Sequence, residues 1–84
     1  MADGKRAELD LRGLKCPLPV LRARRALEGM ADGDVVELVC TDPMAAIDIP
    51  VMVRQRGDVL EQQDADGALL RFRIRRGPAT GAGR

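Results

Sequence analysis

The C-terminal part of the chain carries an alternation that restricts how the whole chain folds. In the segment ALLRFRIRR, apolar and charged residues take turns: Leu70, Phe72 and Ile74 alternate with Arg71, Arg73 and Arg75. Successive side chains of a β-strand point to opposite faces, so this segment predicts a strand with one apolar and one charged face. The fold must therefore contain a sheet with one face covered by other elements and the other face in water.

Three further segments predict strands. AELDLRG alternates leucines with charged residues and ends at Gly13, and DVVELVC is short and rich in β-branched residues. DVLEQQ precedes the segment DADG, whose Asp66 and Gly67 suit a tight hairpin turn into the C-terminal strand. We therefore expect an N-terminal strand, a second strand ending at Cys40, and a C-terminal hairpin.

Two segments between these strands predict helices. From Pro17 onward, apolar residues recur with a helical period as far as the glycines at 29 and 33. The second segment contains Pro50, which lacks an amide donor and would collide with the carbonyl of Ala46 inside a continuous helix.

The second helical segment therefore requires its own start signals. We expect Asp42 to cap a first turn that begins at Pro43, and Asp48 to cap a second segment with Pro50 in its first turn. The outcome is two helical pieces or one kinked helix, ending near Arg56.

The predicted element order is βαβαββ, an α/β two-layer sandwich. The first two strands, joined by a helix, are expected to lie parallel with a right-handed crossover, and both helices cover the single apolar face of the sheet. Eighty-four residues without an internal repeat form one domain. Its folded core is expected at about residues 8–76, with flexible ends at 1–7 and 77–84.

Composition excludes several classes of function. Fourteen basic and thirteen acidic residues give a net charge of +1, well short of the positive field that drives bulk nucleic-acid binding. No apolar run reaches the length of a membrane span, and the N-terminal residues lack the hydrophobic centre of a secretory signal. We therefore expect a cytoplasmic protein without membrane or direct nucleic-acid contact. We also expect it to act as a monomer, although neither charge nor hydropathy determines the oligomeric state.

The most reactive side chain, Cys16, stands directly before two prolines. With Cys16 as N-cap and Pro17 as the first helical residue, the sulfur would lie at the positive end of the helix dipole, and Pro17 and Pro19 would make the turn rigid. Helix N-termini and neighbouring cations lower cysteine pKa values from about 8.5 to roughly 3.5 to 7.5. The flanking Arg12 and Lys15 thus predict a thiolate; the alternative is a small residue that fills a corner.

Several cysteine chemistries are excluded. The chain has no histidine, which removes a Cys-His catalytic pair. Two cysteines 24 positions apart do not match the short paired spacings of zinc sites, so neither a metal nor another cofactor is expected. What remains is chemistry that needs only a nucleophilic sulfur, which is thiol exchange or carriage of an extra sulfur atom as a persulfide.

The segments LDLRGLKCPLPVLRARRAL and TDPMAAIDIPVMVRQRGDVL, within about residues 8–76, resemble the TusA/SirA family of small sulfur-carrier proteins, which has a Cys-Pro-x-Pro motif at the start of the first helix. The resemblance implies a mixed sheet in the strand order 1-2-4-3. It also implies that Cys16 accepts persulfide sulfur from a cysteine desulfurase or rhodanese-like donor and passes it to an acceptor protein. Such a carrier acts only with partner proteins, which leaves its status as an enzyme open.

The same resemblance assigns roles around the cysteine. Pro17, Pro19 and Gly13 shape the turn, and the Asp-Pro and Asp-x-Pro elements of the family fall on Asp42 with Pro43 and on Asp48 with Pro50. Members that feed tRNA thiolation often have an acidic residue between the two prolines, where this chain has Leu18, which we group with Arg12 and Lys15 as neighbours that affect the thiolate. This departure speaks against tRNA thiolation, and sulfur oxidation, cofactor sulfuration and selenium metabolism stay open as pathways.

Other residues have a structural and a functional interpretation. Cys40 is expected to be a buried apolar residue at the end of its strand, with a resolving thiol as the alternative. The helix arginines Arg22, Arg24 and Arg25 are a solvated face or, with Asp42, a partner-binding surface. Two alternatives to sulfur transfer are a regulatory interaction module and an RNA-binding domain that uses the arginines of the last strand, because the fold resembles a domain of a bacterial translation initiation factor.

Overall fold

The computed structural model describes residues 6–77 of the chain. Its elements follow the predicted βαβαββ order: β1 (Arg6–Leu11), α1 (Leu18–Glu28), β2 (Val35–Cys40), α2 (Ala45–Arg56), β3 (Val59–Asp66) and β4 (Leu69–Arg75). The predicted two-layer α/β sandwich is confirmed.

The four strands form one mixed sheet in the order β1-β2-β4-β3. β1 and β2 are parallel, and β4 pairs antiparallel with both β2 and β3. Asp66 pairs with Leu69, so the hairpin turn consists of Gly67 and Ala68, one residue later than the predicted Asp66-Gly67 turn. Gly67 takes a positive φ of 61°, which the turn requires and glycine adopts at little cost.

The helices cover one face of the sheet and enclose an aliphatic core. Phe72, the sole aromatic residue, is 2% exposed and lies among side chains from all the helices and from β1, β2 and β4. Full burial of such side chains contributes roughly 1.5 to 3 kcal/mol each. The buried core residues are Leu11, Ala23, Leu27, Val36, Leu38, Cys40, Ala45, Ile49, Met52, Val53, Phe72 and Ile74.

The opposite face of the sheet is polar, as the alternation in β4 predicts. Arg71 and Arg75 are exposed, and Arg73 is half-buried. Arg73 forms an ion pair of 3.1 Å with Glu37 of β2, and Arg75 forms one with Glu61 of β3. Two of the three β4 arginines are therefore neutralised by carboxylates of the same sheet, which weakens the RNA-binding alternative.

α2 is one continuous helix with Pro50 inside it, so the expected break does not occur. Asp42 does cap the preceding turn, because its Oδ1 accepts the N–H of Met44 at 3.1 Å. Asp48 caps no second segment and lies in the first turn of the helix. The carbonyl of Ala46, which Pro50 cannot bind, accepts a hydrogen bond of 3.3 Å from the side-chain amide of Gln63 in β3. A tertiary contact thus replaces the missing helical one.

The ordered region is slightly longer than the predicted core. Arg6 and Ala7 belong to β1, and Gly77 is buried with its N–H donating to Asp58 Oδ1 at 2.8 Å. The backbones of these three residues are held by β2 and by Asp58, and the flexibility expected at the two ends stays a prediction. The remaining parts of the predicted flexible ends, 1–5 and 78–84, lie outside the described residues.

Candidate functional site

Two loops meet at the edge of the sheet where the parallel strands β1 and β2 end. The loop after β1 carries Cys16, and the loop after β2 carries Thr41 and Asp42. The N–H of Gly13 donates to Thr41 Oγ1 at 2.9 Å, and the N–H of Cys16 donates to Asp42 Oδ2. Gly13 has a φ of 84°, where a side chain would strain the backbone. The fold thus fixes the Cys16 main chain from the neighbouring loop.

α1 begins one residue later than the sequence predicts. Pro17 is the capping residue, with φ of −97° and ψ of 15°, and the helix starts at Leu18. The Cys16–Pro17 peptide bond is cis. The prediction that Cys16 is the N-cap is therefore wrong, because Pro17 itself occupies that position. The amides of Cys16 and Leu18 are both used, the first by Asp42 and the second by the carbonyl of Lys15 at 2.8 Å.

The thiol of Cys16 is exposed and faces a carboxylate. Sγ lies 3.4 Å from Oδ2 of Asp48, which is half-buried in the first turn of α2. The hydrogen bond to Asp48 raises the pKa of Cys16, and partial desolvation and the negative charges of Asp48 and Asp42 act in the same direction. The predicted lowering of this pKa is therefore wrong. The sequence displays the flanking cations, whereas the fold adds two carboxylates from distant positions.

One of the two predicted cationic neighbours of the sulfur is bound by another residue. Arg12 forms a two-pronged ion pair with Asp10, Nε to Oδ1 and Nη2 to Oδ2 at 2.9 Å each. This pair lowers the pKa of Asp10 to about 2. Lys15 is exposed beside Cys16, and Leu18 contributes hydrocarbon instead of charge. A thiolate-stabilising role for Arg12, Lys15 and Leu18 stays a prediction.

A small recess surrounds the sulfur and joins the starts of both helices. Pro19 and Ala45 are its buried members, and the carboxylates of Asp42 and Asp48 form its polar side. The sequence pattern predicts Asp48 to be a helix cap and does not predict its contact with Cys16. The signal was present, because parallel strands end at the same sheet edge and the segments that follow β1 and β2 must therefore adjoin. The recess is lined by Cys16, Pro17, Pro19, Val20, Asp42, Ala45 and Asp48.

Exposed hydrocarbon lies on the two helices whose starts form this recess. Five large apolar side chains, each between 43% and 60% exposed, form what we call the apolar collar: Leu18 and Leu21 of α1, Met44 just before α2, and Ile47 and Val51 of α2. The predicted partner-binding arginines Arg22, Arg24 and Arg25 are exposed on α1, and no carboxylate of residues 6–77 lies within ion-pair distance of them.

The second cysteine is inaccessible. Cys40 is 0% exposed and lies opposite Leu11 in the parallel ladder, and burial together with the charge of Asp42 raises its pKa to about 11. Both cysteines are free thiols. The expected role of Cys40 as a buried apolar residue is confirmed.

The site can therefore offer a single accessible thiol with a carboxylate beside it. Within residues 6–77, no group of three or more His, Cys, Asp or Glu side chains is arranged to hold a metal ion. None of the helices in that part of the chain has the length and apolar character needed to cross a membrane.

Comparisons with known proteins agree with this geometry. Residues 7–76 match the family model described as sulfurtransferase TusA. The chain is 38% identical over 69 residues to the sulfur carrier protein TusA of Allochromatium vinosum, covering 82% of this chain and 91% of that protein. It is 48% identical over 60 residues to a putative sulfur carrier protein of Neisseria meningitidis serogroup A, covering 70% and 81% respectively.

A solved structure agrees with the fold. The crystal structure of a SirA-like protein from Desulfitobacterium hafniense superposes with a TM-score of 0.74 at 25% identity, and the match covers 86% of this chain and 99% of that one. Three observations lead to the same conclusion: the accessible cysteine before a proline-rich helix start, the βαβαββ sandwich and the similarity to these relatives. The chain belongs to the TusA family of sulfur carrier proteins.

Proposed function

We propose that this chain carries sulfur as a persulfide on Cys16, which receives it from a cysteine desulfurase or a rhodanese-like donor and passes it to an acceptor protein. The observation that carries the proposal is the exposure of the Cys16 thiol at a fixed loop, while the other thiol of the chain, Cys40, is buried. Sulfur transfer between proteins requires a sulfur that a partner can approach.

The transfer conserves atoms and electrons. The Sγ of Cys16 attacks the outer sulfur of the donor persulfide, a new S–S bond forms, and the S–S bond of the donor breaks. The electron pair of that bond leaves with the donor sulfur, which becomes a thiol on taking up a proton. The same exchange in the opposite sense unloads Cys16 onto an acceptor thiol, and neither step needs an oxidant.

We propose that the donor and acceptor proteins bind the surface around the Cys16 sulfur. The apolar collar supplies hydrocarbon that a partner can bury, and Arg22, Arg24 and Arg25 supply positive charge beside it. Complementary charge accelerates encounter, and burial of apolar groups at the centre of an interface excludes water from the reacting sulfurs. Asp42 already accepts two main-chain N–H groups within the chain. A contact between Asp42 and a partner protein stays a proposal.

The cytoplasm is the compartment that suits this function, because a carrier thiol must return to the reduced state between transfers. We assign the carrier as a monomer. Leu18 favours a pathway other than tRNA thiolation. The candidate pathways that remain include cofactor sulfuration and sulfur oxidation.

The test is sulfur loading of the purified, reduced protein. Incubation with a cysteine desulfurase and cysteine, or with a rhodanese and thiosulfate, is expected to add one sulfur atom by intact mass, removable by reductant. Cys16→Ser abolishes the gain, and Cys40→Ser, the matched control, keeps most of it. Absence of loading with several donor classes and with cell extract supports the interaction-module alternative instead, and equal loading of both cysteines contradicts the assignment of Cys16.

A further inference from the structure

The carboxylate of Asp48 makes its contact outside its own helix. It caps no helix start, and its hydrogen-bond partner among the described residues is the Sγ of Cys16, 3.4 Å away. By contrast, the two oxygens of Asp42 are used by the N–H groups of Cys16 and Met44. Asp48 therefore contacts the sulfur itself, whereas Asp42 contacts the main chain of the loop that carries the sulfur.

We propose that Asp48 accepts the proton of the Cys16 thiol as Sγ attacks the sulfur donor. This inference rests on the proposed function and adds a catalytic residue to it. Asp48 faces the sulfur from α2, Asp42 faces it from the loop after β2, and Lys15 is the neighbouring cation of its own loop, since Arg12 is bound to Asp10. Two nearby carboxylates disfavour a free thiolate at neutral pH, so the attack benefits from a proton acceptor already in contact.

The proton transfer completes the balance of the sulfur exchange. As the bond between Sγ and the outer donor sulfur forms, the proton of Cys16 moves from Sγ to Oδ2 of Asp48. The donor sulfur that leaves with the electron pair then takes this proton, which returns Asp48 to its charged form. One sulfur atom changes partner, both proteins keep their redox state, and no further reactant is consumed.

This role has a signature in the pH dependence of loading. If Asp48 accepts the proton, the loading rate is independent of pH over the range in which Asp48 is a carboxylate and Cys16 is a thiol. We call this a level profile. Without that acceptor, the rate follows the thiolate fraction and rises about tenfold per pH unit until the thiol is ionised. The two cases differ in slope, which a merely structural contact does not alter.

The experiment uses glutathione persulfide as the probe, with single-turnover loading of Cys16 followed by intact mass. The ionisation of the probe affects all variants equally, so it cancels in their ratio. At about pH 6, Asp48→Asn is expected to load at least ~10-fold more slowly than the unaltered protein, and the ratio approaches one as the pH nears the thiol pKa. Asp48→Glu, which keeps a carboxylate, is expected to recover part of the level profile.

Asp64→Asn is the matched control for the loss of one negative charge. It removes a carboxylate at an exposed position of β3 and leaves Asp42, Asp48 and the Cys16 loop unaltered, so its profile is expected to stay level. Parallel profiles for the unaltered protein and Asp48→Asn, or faster loading of Asp48→Asn at every pH, would overturn this inference while leaving sulfur carriage intact. If the unaltered protein accepts no sulfur from the probe or from any enzymatic donor, the proposed function fails and this inference fails with it.

Discussion

The carboxylate of Asp42 holds the main chain of Cys16, accepting its N–H across 26 residues of sequence. The same carboxylate accepts the N–H of Met44 and so caps the turn that leads into α2. One side chain thereby fixes the loop that carries the sulfur relative to the helix that carries Asp48. The position of the Cys16 thiol depends on this connection between the two loops.

Asp42→Ala is expected to loosen both loops. Loss of two hydrogen bonds to a charged acceptor should lower the free energy of unfolding by about 1 to 3 kcal/mol. Urea denaturation measures this loss, and amide hydrogen exchange should show faster exchange at Cys16 and Met44 than in the unaltered protein. Exchange at these two amides that is unchanged in the variant would contradict the assigned contacts.

The two cysteines are expected to differ in reactivity and in pH dependence. Iodoacetamide should modify Cys16 in the native protein and Cys40 only after unfolding, because the first is exposed and the second is buried. Since the pKa of Cys16 is raised, a smaller fraction of Cys16 should be thiolate at neutral pH in the native protein than in the denatured chain, and the ultraviolet absorbance of the thiolate measures this fraction.

Asp48→Asn removes the first cause of that raised pKa and should move the ultraviolet titration of the Cys16 thiolate to lower pH. Peptide mapping after timed alkylation compares the accessibility of the two cysteines, and thiolate absorbance against pH gives the Cys16 midpoint. A Cys16 midpoint below the ordinary cysteine value in the unaltered protein would restore the thiolate that the sequence alone predicts and contradict the geometry of the site.

The apolar collar is expected to contribute to partner binding. Ile47→Ser and Val51→Ser together remove exposed hydrocarbon beside Asp48 and should reduce affinity for a sulfur donor by about 10-fold, with stability changed by less than ~0.5 kcal/mol. The matched control is Val59→Ser, because Val59 is similarly exposed but starts β3, opposite Arg75 at the far end of β4. Equal affinities for the three proteins, from loading rate against donor concentration, would exclude the collar as a docking surface.

Charge reversal of Arg22, Arg24 and Arg25 to Glu is expected to slow encounter with a donor. Exposed charges act mainly on the association rate and little on stability, and the effect should shrink as salt is added. Circular dichroism should be unchanged. Reversal of Arg71, an exposed arginine on the open face of the sheet, serves as the control; if it slows loading as much, net charge and not the α1 face is responsible.

The fold was predictable from local patterns because each element buries one face. The alternation at Leu70, Phe72 and Ile74 and the helical period after Pro17 require only the sequence around them. The strand order came from the family resemblance, since several orders satisfy the same patterns. The continuity of α2 was not predictable, because the hydrogen bond that replaces the one lost at Pro50 comes from Gln63, a residue of another element.

The sequence singles out Cys16 as the candidate site residue, but it does not predict the electrostatics around it. Cys16 is marked by the prolines that follow it, but its pKa depends on Asp42 and Asp48, which lie 26 and 32 residues away along the chain. Of the cations near it in sequence, Arg12 is bound by Asp10. The contacts of Asp42 and Asp48 with Cys16 follow from the parallel arrangement of β1 and β2.

Asp58 provides a test of the packing away from the site. Its side chain is 2% exposed, binds Arg56 Nε at 2.8 Å and accepts the N–H of Gly77. Asp58→Ala leaves both donors without their acceptor and should lower the free energy of unfolding by about 2 to 4 kcal/mol. Asp64→Ala, at an exposed position of β3, should cost less than ~0.5 kcal/mol. Similar urea midpoints for the two variants would contradict the role of Asp58.

The most direct measurement of the central claim is the chemical state of Cys16 in growing cells. Cells that express the chain are lysed in excess iodoacetamide, which caps thiols and persulfides at once, and the peptides of both cysteines are compared by mass. We predict that a fraction of the Cys16 peptide carries one additional sulfur atom, that reductant removes it, and that the Cys40 peptide carries none. A Cys16 peptide without additional sulfur, in cells whose sulfur donors are active, would contradict sulfur carriage on this residue.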